Sequence, residues 1–226
     1  YIAVSLLAFY GMFISGTRGA ISVPLAGLAL FSVLRKNKFI LVTGFLLLVL
    51  VYSFFKYTYI GQGNQHIRRM RSAFDPNDPS LQIRLENQKK LRIYLATRPL
   101  GGGIGHAGVK AQRFLPNSFL ANVATDSWYV LIWAETGIIG LILHLFILLY
   151  ILIKGSYIIM FRLKDPELKI LMSALISGMA GILVASYGNA VVGTMPTSIL
   201  IYTSMALILN SRHLDAEPKL TSDNPS

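Results

Sequence analysis

Apolar residues gather in six runs: Ile2–Ser15, Ala20–Leu34, Phe39–Phe55, Ser127–Ile153, Ile170–Val192 and Thr197–Leu209. Polar residues fill the spaces between them. Such runs predict spanning helices, because a chain in hydrocarbon must satisfy its own backbone N–H and C=O groups. A span takes about 20 residues. The first, second and sixth runs are shorter than that, and the fourth is long enough to tilt or to begin above the bilayer. Between the third and fourth runs lies a long polar stretch, residues 57–126. Within it, "NDPSLQIRLENQKKLRIYLATRP" predicts a short basic amphipathic helix. Asp78 or Ser80 can cap it, Pro79 suits its first turn, and Arg98-Pro99 stops it. Leu81, Leu85, Leu91 and Leu95 share a face that Gln88 interrupts.

The expected fold is therefore all-α: a polytopic transmembrane helix bundle of about six spans with one large loop outside the membrane. Three spans occupy residues 1–56, the loop 57–126, three further spans 127–210, and a disordered cytoplasmic tail 211–226. The sequence opens on Tyr1 directly into an apolar run and is read as the C-terminal part of a longer membrane protein.

Composition agrees with a membrane setting. Hydrophobic residues make up 54% and charged residues 14% of the chain, against about 25% charged in soluble domains. Cysteine is absent, which excludes disulfides and thiol catalysis. His66, His106, His144 and His213 show no metal-ligand spacing, so neither a metal nor another cofactor is expected.

The net charge of +11 is distributed with a direction. Arg35, Lys36 and Lys38, then Lys154, Arg162, Lys164 and Lys169, then Arg212 and Lys219 fall on one side of a six-span arrangement. The positive-inside rule makes that side cytoplasmic. Residues 16–19, the long loop and the turn near Gly193–Pro196 then face outward. The loop itself carries ten basic residues against three acidic ones between its ends. Solvated charge at lipid headgroups accounts for this as well as an anionic ligand does.

Glycines punctuate the loop in "RPLGGGIGHAG", where Gly103, Gly105 and Gly108 form a G-x-G-x-x-G. A dinucleotide fingerprint needs a strand before it and a βαβ unit around it, and neither is present. Two readings remain: a plain flexible loop, or backbone N–H groups at Gly101, Gly103 and Gly105 approaching a phosphate. Arg84, Arg92 and Arg98 lie nearby, and guanidinium groups pair bidentately with phosphate oxygens.

Polar residues inside apolar runs carry a cost. Arg18 in "SGTRGA" suits either a snorkelling anchor or an outward cavity. Glu135 in "WAETGIIG" suits a structural ion pair as well as catalysis. His144 reads as a hydrogen-bonded structural residue, Tyr187 and Asn189 as helix–helix contacts, and the Ser-Gly-Met-Ala-Gly run as close packing. Asp126 stands where the loop enters the fourth run. It suits an N-cap, or a carboxylate that accepts a proton from an acceptor hydroxyl, and the two are compatible.

Three pieces, "SGTRGA", "RLENQKKLRIYLATRPLGGGIG" and "TDSWYVLIWAETGIIGLILHLFIL", in this order and placement, resemble the O-antigen ligase and O-antigen polymerase family of bacterial envelope enzymes. The resemblance covers Ile14 to Leu152. It implies a metal-independent glycosyltransferase of the bacterial inner membrane with its active site facing the periplasm. Such enzymes move a glycan from undecaprenyl diphosphate to a growing repeat-unit chain, as polymerases, or to a lipid A core, as ligases. Carried onto this sequence, Arg18 and Arg84 would hold the diphosphate and stabilise charge on the leaving group. Arg92 is followed by ten residues and Gly103, a spacing described for polymerases. Arg98 and Gly101–Gly105 assist on chemical grounds. Many ligases of the family have His where this sequence has Asp126-Ser127, so Asp126, with Glu135 as a conceivable neighbour, or His106 takes the base role here.

The expected partners are the lipid-linked donor glycan, an acceptor glycan or lipid A core, and the bilayer, but no nucleic acid. Other envelope polysaccharide assembly proteins are compatible partners. A polymerase is the first reading and a ligase the second. A transporter of an anionic solute or lipid-linked glycan, the reading from another class, lacks the internal repeat and paired broken helices such folds show.

Overall fold

A computed structural model describes residues 2–15, 17–36, 38–72, 75 and 77–216, and among these residues there is no strand. Helix α1 spans Ile2–Ile14. A 3-10 turn, Arg18–Ile21, leads into α2, Ser22–Arg35, and α3 is Lys38–Tyr57. The long polar stretch forms α4 (Gln65–Ser72), α5 (Pro79–Leu95), α6 (Val109–Gln112) and α7 (Phe119–Asn122). Three long helices follow: α8 (Trp128–Phe161), α9 (Pro166–Ala185) and α10 (Thr197–Ala216). The chain is an all-α membrane helix bundle. Helices α3, α8 and α9 are long and apolar enough to cross a membrane, and two shorter apolar helices cover Ala3–Met12 and Gly19–Arg35.

Small residues set the central contact. Ser173, Ser177, Gly181 and Ala185 recur every fourth position on α9 and are all buried, the spacing that lets membrane helices approach closely. A Cβ on Gly181 would reach the backbone of Val23 on α2, 3.0 Å from its carbonyl carbon, and one on Gly27 would lie 3.1 Å from Ser177 O. Helices α8 and α10 close the other side of α9. Leu148 and Ile159, Met172, Ile176 and Met179, and Ile201 and Ile208 pack there in one core with Leu34 of α2. Outside this core, Phe45 and Leu50 of α3 and Ile142 and Phe146 of α8 are exposed, as lipid-facing residues are.

The basic end of the bundle is tied by side chains. Asp215 on α10 accepts hydrogen bonds from Lys164 N and Asp165 N, each 2.9 Å. These bonds, Lys164 first, hold its carboxyl below the usual value because they favour the charged form. Asp165 caps α9 by accepting from Glu167 N at 3.0 Å. Cations sit on aromatic rings at the same end: Lys36 Nζ lies 4.2 Å from the Phe161 ring centre, and Lys154 Nζ donates to Tyr150 OH at 3.0 Å. Such pairs are the expected dressing of a membrane–water boundary.

Element ends differ from expectation in three places. Helix α8 runs to Phe161, so Lys154 is helical rather than in a loop. Helix α9 starts at Pro166 and stops at Ala185, because the chain turns at Ser186–Gly188 instead of continuing to Val192. Helix α10 runs to Ala216, into the stretch expected to be tail, where Asp215 gives its last turn a tertiary anchor. Residues 217–226 lie outside the described residues.

Candidate active site

Opposite the basic end, the segments between the apolar helices converge on one cleft of about 650 Å³. Its walls come from the 3-10 turn and the residues flanking it (Thr17, Gly19, Ser22), from α4 and the turn after it (Arg69, Ser72, Asp75), from the start of α5 (Asp78, Ser80, Arg84) and from the end of α9 and the turn after it (Ala185, Tyr187, Gly188, Asn189). Charged and hydroxyl side chains dominate, at the rim of an otherwise apolar bundle.

Local sequence explains each wall. Helix α4 buries Met70 against Ile21 and Phe55. Arg71 Nε donates to Phe55 O at 3.1 Å and folds α4 back on the end of α3, leaving Arg69 on the cleft side. Asp78 caps α5, as expected, accepting from Ser80 N at 3.0 Å and Leu81 N at 3.2 Å, with Pro79 in the first turn. The expected leucine face buries only its second half. Leu91 and Leu95 pack with Leu120, Val123 and Ala134, whereas Leu81 and Leu85 are exposed. The start of α8 is pinned to the end of α9: Trp128 N donates to Ser186 O at 3.0 Å and Tyr129 OH to Leu183 O at 2.7 Å.

That pinning places Asp126 beside α5. Its Oδ2 lies 3.3 Å from Arg84 Nε. The cap expected of Asp126 is not made: Ser127 holds the N-cap position of α8, and no side chain caps it there. Arg84 also reaches the turn after α9, where a Cβ on Gly188 would lie 3.9 Å from its Nη1. Arg84 is therefore held between two elements with part of its guanidinium toward the cleft. The pair is partly exposed, with 34% and 50% of the two side chains accessible, so it adds little to stability.

The glycine loop has another task. Helix α8 breaks at Gly137, with φ 68° and ψ −168°, a conformation open essentially to glycine alone. The break frees two carbonyls that an unbroken helix would use. Gly102 N donates to Ala134 O and Gly103 N to Glu135 O, both at 2.9 Å, and Ile139 N donates to Pro99 O at 3.4 Å. Gly105 N donates to Glu135 Oε1 at 2.9 Å, and Gly101 N to Arg98 O at 3.0 Å. The loop is spliced into the helix break. The N–H groups of Gly101, Gly103 and Gly105, expected to approach a phosphate, are here all directed at protein acceptors.

The other expected site residues are dispersed. Glu135 anchors the loop through Gly105. His106 is exposed beside Gly103, its N donating to Gly103 O at 3.3 Å. The Arg98 guanidinium lies 3.8 Å from the centre of the Tyr94 ring, which stacks on Phe119 at 4.6 Å. Arg92 is exposed in the last turn of α5. Neither Arg92 nor Arg98 lines the cleft. Arg18 opens the 3-10 turn by its backbone, and its side chain lies outside the described residues. His144 is structural as expected, accepting from Trp128 Nε1 at 3.0 Å. Arg69 was not singled out by sequence, where it reads as one loop charge among ten. The signal available was "HIRRMR", in which Ile67 and Met70 mark the buried side of a short helix. Among the described residues no three His, Asp or Glu side chains group to hold a metal ion.

A family model described as O-antigen ligase matches residues 3–145, and the chain belongs to that family. The match takes in α1 to the first part of α8, including Arg69, Arg84 and Asp126. No curated protein and no solved structure matches the chain.

Proposed function

We propose that this O-antigen ligase family member catalyses glycan transfer from an undecaprenyl diphosphate carrier to an acceptor glycan, at the outer face of the bacterial inner membrane. The observation that carries the reading is Arg84, set in a polar cleft at the end opposite the basic loops and paired with the Asp126 carboxylate. A diphosphate is a ligand for which Arg84 would exchange Asp126, since charge-assisted pairs with phosphate are short and bidentate. Arg69 faces the same cleft and supplies a second guanidinium. The bond between the sugar anomeric carbon and the phosphate oxygen breaks, and the electron pair leaves on the diphosphate, where the two arginines stabilise it. The acceptor hydroxyl oxygen forms the new bond to that carbon. Its proton passes to Asp126, which the exchange has released from Arg84.

A second feature supports a lipid-borne donor. An apolar groove of about 810 Å³ adjoins the cleft, lined by Phe9, Met12, Leu25, Phe31, Val51 and Phe55. Ile21 and Met70 line this groove while their chain neighbours Ser22 and Arg69 line the cleft. A diphosphate head in one and a polyprenyl tail in the other match these two linings.

The acceptor reading is a polymerase, which extends repeat units. The carboxylate Asp126 in place of the ligase histidine favours it; the family description favours the ligase, which differs only in acceptor. The test is an Arg84→Ala exchange in the host with envelope glycans and lipid-linked intermediates measured together. The expected outcome is loss of polymer with the protein still in the membrane and single lipid-linked repeat units accumulating. Polymer stranded on the lipid carrier identifies a ligase, and an unchanged profile overturns the reading.

A further inference from the structure

We infer that the turn Tyr187–Gly188–Asn189 is a sugar subsite, in which the Tyr187 ring and the Asn189 amide hold the donor sugar next to the diphosphate. This rests on the proposed transfer reaction. Three observations carry it. Tyr187 is 69% exposed yet lines the cleft, and its phenol makes no hydrogen bond among the described residues. Asn189 also lines the cleft; its amide stands beside Gly19, where an added Cβ would lie 3.1 Å from Nδ2, and has no hydrogen-bond partner among the described residues. Between them, Gly188 places the turn against Arg84, with 3.9 Å from a built Cβ to Nη1.

The chemistry of the turn is that of carbohydrate recognition. An open aromatic ring offers a flat face to the C–H side of a pyranose, and a side-chain amide both donates to and accepts from ring hydroxyls. Ser80, Ser22 and Thr17 add hydroxyls to the same cleft. The sugar attached to a diphosphate begins one bond from the phosphate oxygen, so a subsite for it must adjoin the phosphate-holding arginine. The Tyr187 turn is the part of the cleft that does so from α9, beyond the segment the family model matches. A tyrosine serving only as a membrane-boundary anchor would have no reason to border a polar cleft beside Arg84.

The experiment uses the full-length protein in detergent with two probes, undecaprenyl diphosphate without sugar and the host's own lipid-linked repeat unit. Tyr187→Ala should weaken binding of the glycan-bearing lipid about three- to tenfold and leave the bare lipid diphosphate unchanged. Tyr187→Trp should restore most of the loss, and Asn189→Ala should act in the same direction. Arg84→Ala should weaken both probes. Equal loss for both probes in Tyr187→Ala, or no loss for either, overturns the sugar subsite while leaving the transfer reading intact. No loss of either probe in Arg84→Ala overturns the transfer reading itself.

Discussion

Gly101 and Gly137 lie backbone against backbone: a Cβ on Gly137 would stand 2.5 Å from Gly101 N, and one on Gly101 would stand 2.5 Å from the carbonyl oxygen of Glu135. Both have positive φ, 79° and 68°. The contact joins the glycine loop to the break in α8, and neither residue has room for a side chain. Gly137→Ala should therefore lower stability by about 1–3 kcal/mol. The loop should detach while the bundle remains. Thermal unfolding in detergent measures the first, and protease cutting within residues 99–106 measures the second. A variant with wild-type melting and an uncut loop would contradict the splice.

Glu135 follows from the same splice. Its carboxylate accepts from Gly105 N, a job that an amide oxygen also performs. Glu135→Gln should keep the amide of Gly105 protected from hydrogen exchange and retain most glycan transfer. Glu135→Ala should lose protection and activity together. Loss of transfer in Glu135→Gln with the Gly105 amide still protected would move Glu135 from anchor to catalytic carboxylate.

The roles proposed for Arg84 and Asp126 separate function from stability. Both side chains are more than a third exposed or nearly so, and exposed pairs contribute about 0–1 kcal/mol. Asp126→Asn should thus leave the melting temperature nearly unchanged. A general base contributes about 10²–10⁴-fold to rate, so transfer should fall by about that factor. Binding of the bare lipid diphosphate should not weaken, because Arg84 no longer has a competing carboxylate. Weaker lipid diphosphate binding in Asp126→Asn would show that the carboxylate positions Arg84 instead of exchanging with the ligand.

How much of this was legible in sequence depended on the range of the interaction. The Asp78-Pro79 cap is local, and residue types at fixed offsets announce it. The Ser-Gly-Met-Ala-Gly run on α9 is equally local and reads as close packing, but only the fold shows that Ser177 and Gly181 of that run meet α2. Arg84 opposite Asp126 has no such period: the residues meet only because Trp128 and Tyr129 bind the end of α9. The contact of the glycine loop is illegible in sequence for a related reason. Glycine spacing shows that backbone can come close to something, and only the tertiary fold shows that the something is α8. Gly137 itself was hidden within an apolar run that reads as one continuous helix. Arg69 was obscured by its neighbours, since composition cannot tell one arginine of a basic loop from another.

Asp215 makes stability depend on pH at the basic end. Its carboxyl is held below the usual value by the Lys164 and Asp165 N–H groups and by the Lys164 charge. For a depressed carboxylate the sign is fixed: the folded state binds the proton less readily than the unfolded state. The stabilisation is complete above the unfolded value, near pH 4, and fades as pH falls through the lower folded value. Asp215→Ala should therefore melt below wild type at neutral pH, and the gap should close in acid. The variant should also loosen the α8–α9 turn, seen as faster exchange of the Lys164 and Asp165 amides at neutral pH. A melting gap that persists unchanged below the folded value would mean that Asp215 acts through packing of the last turn of α10, not through its charge.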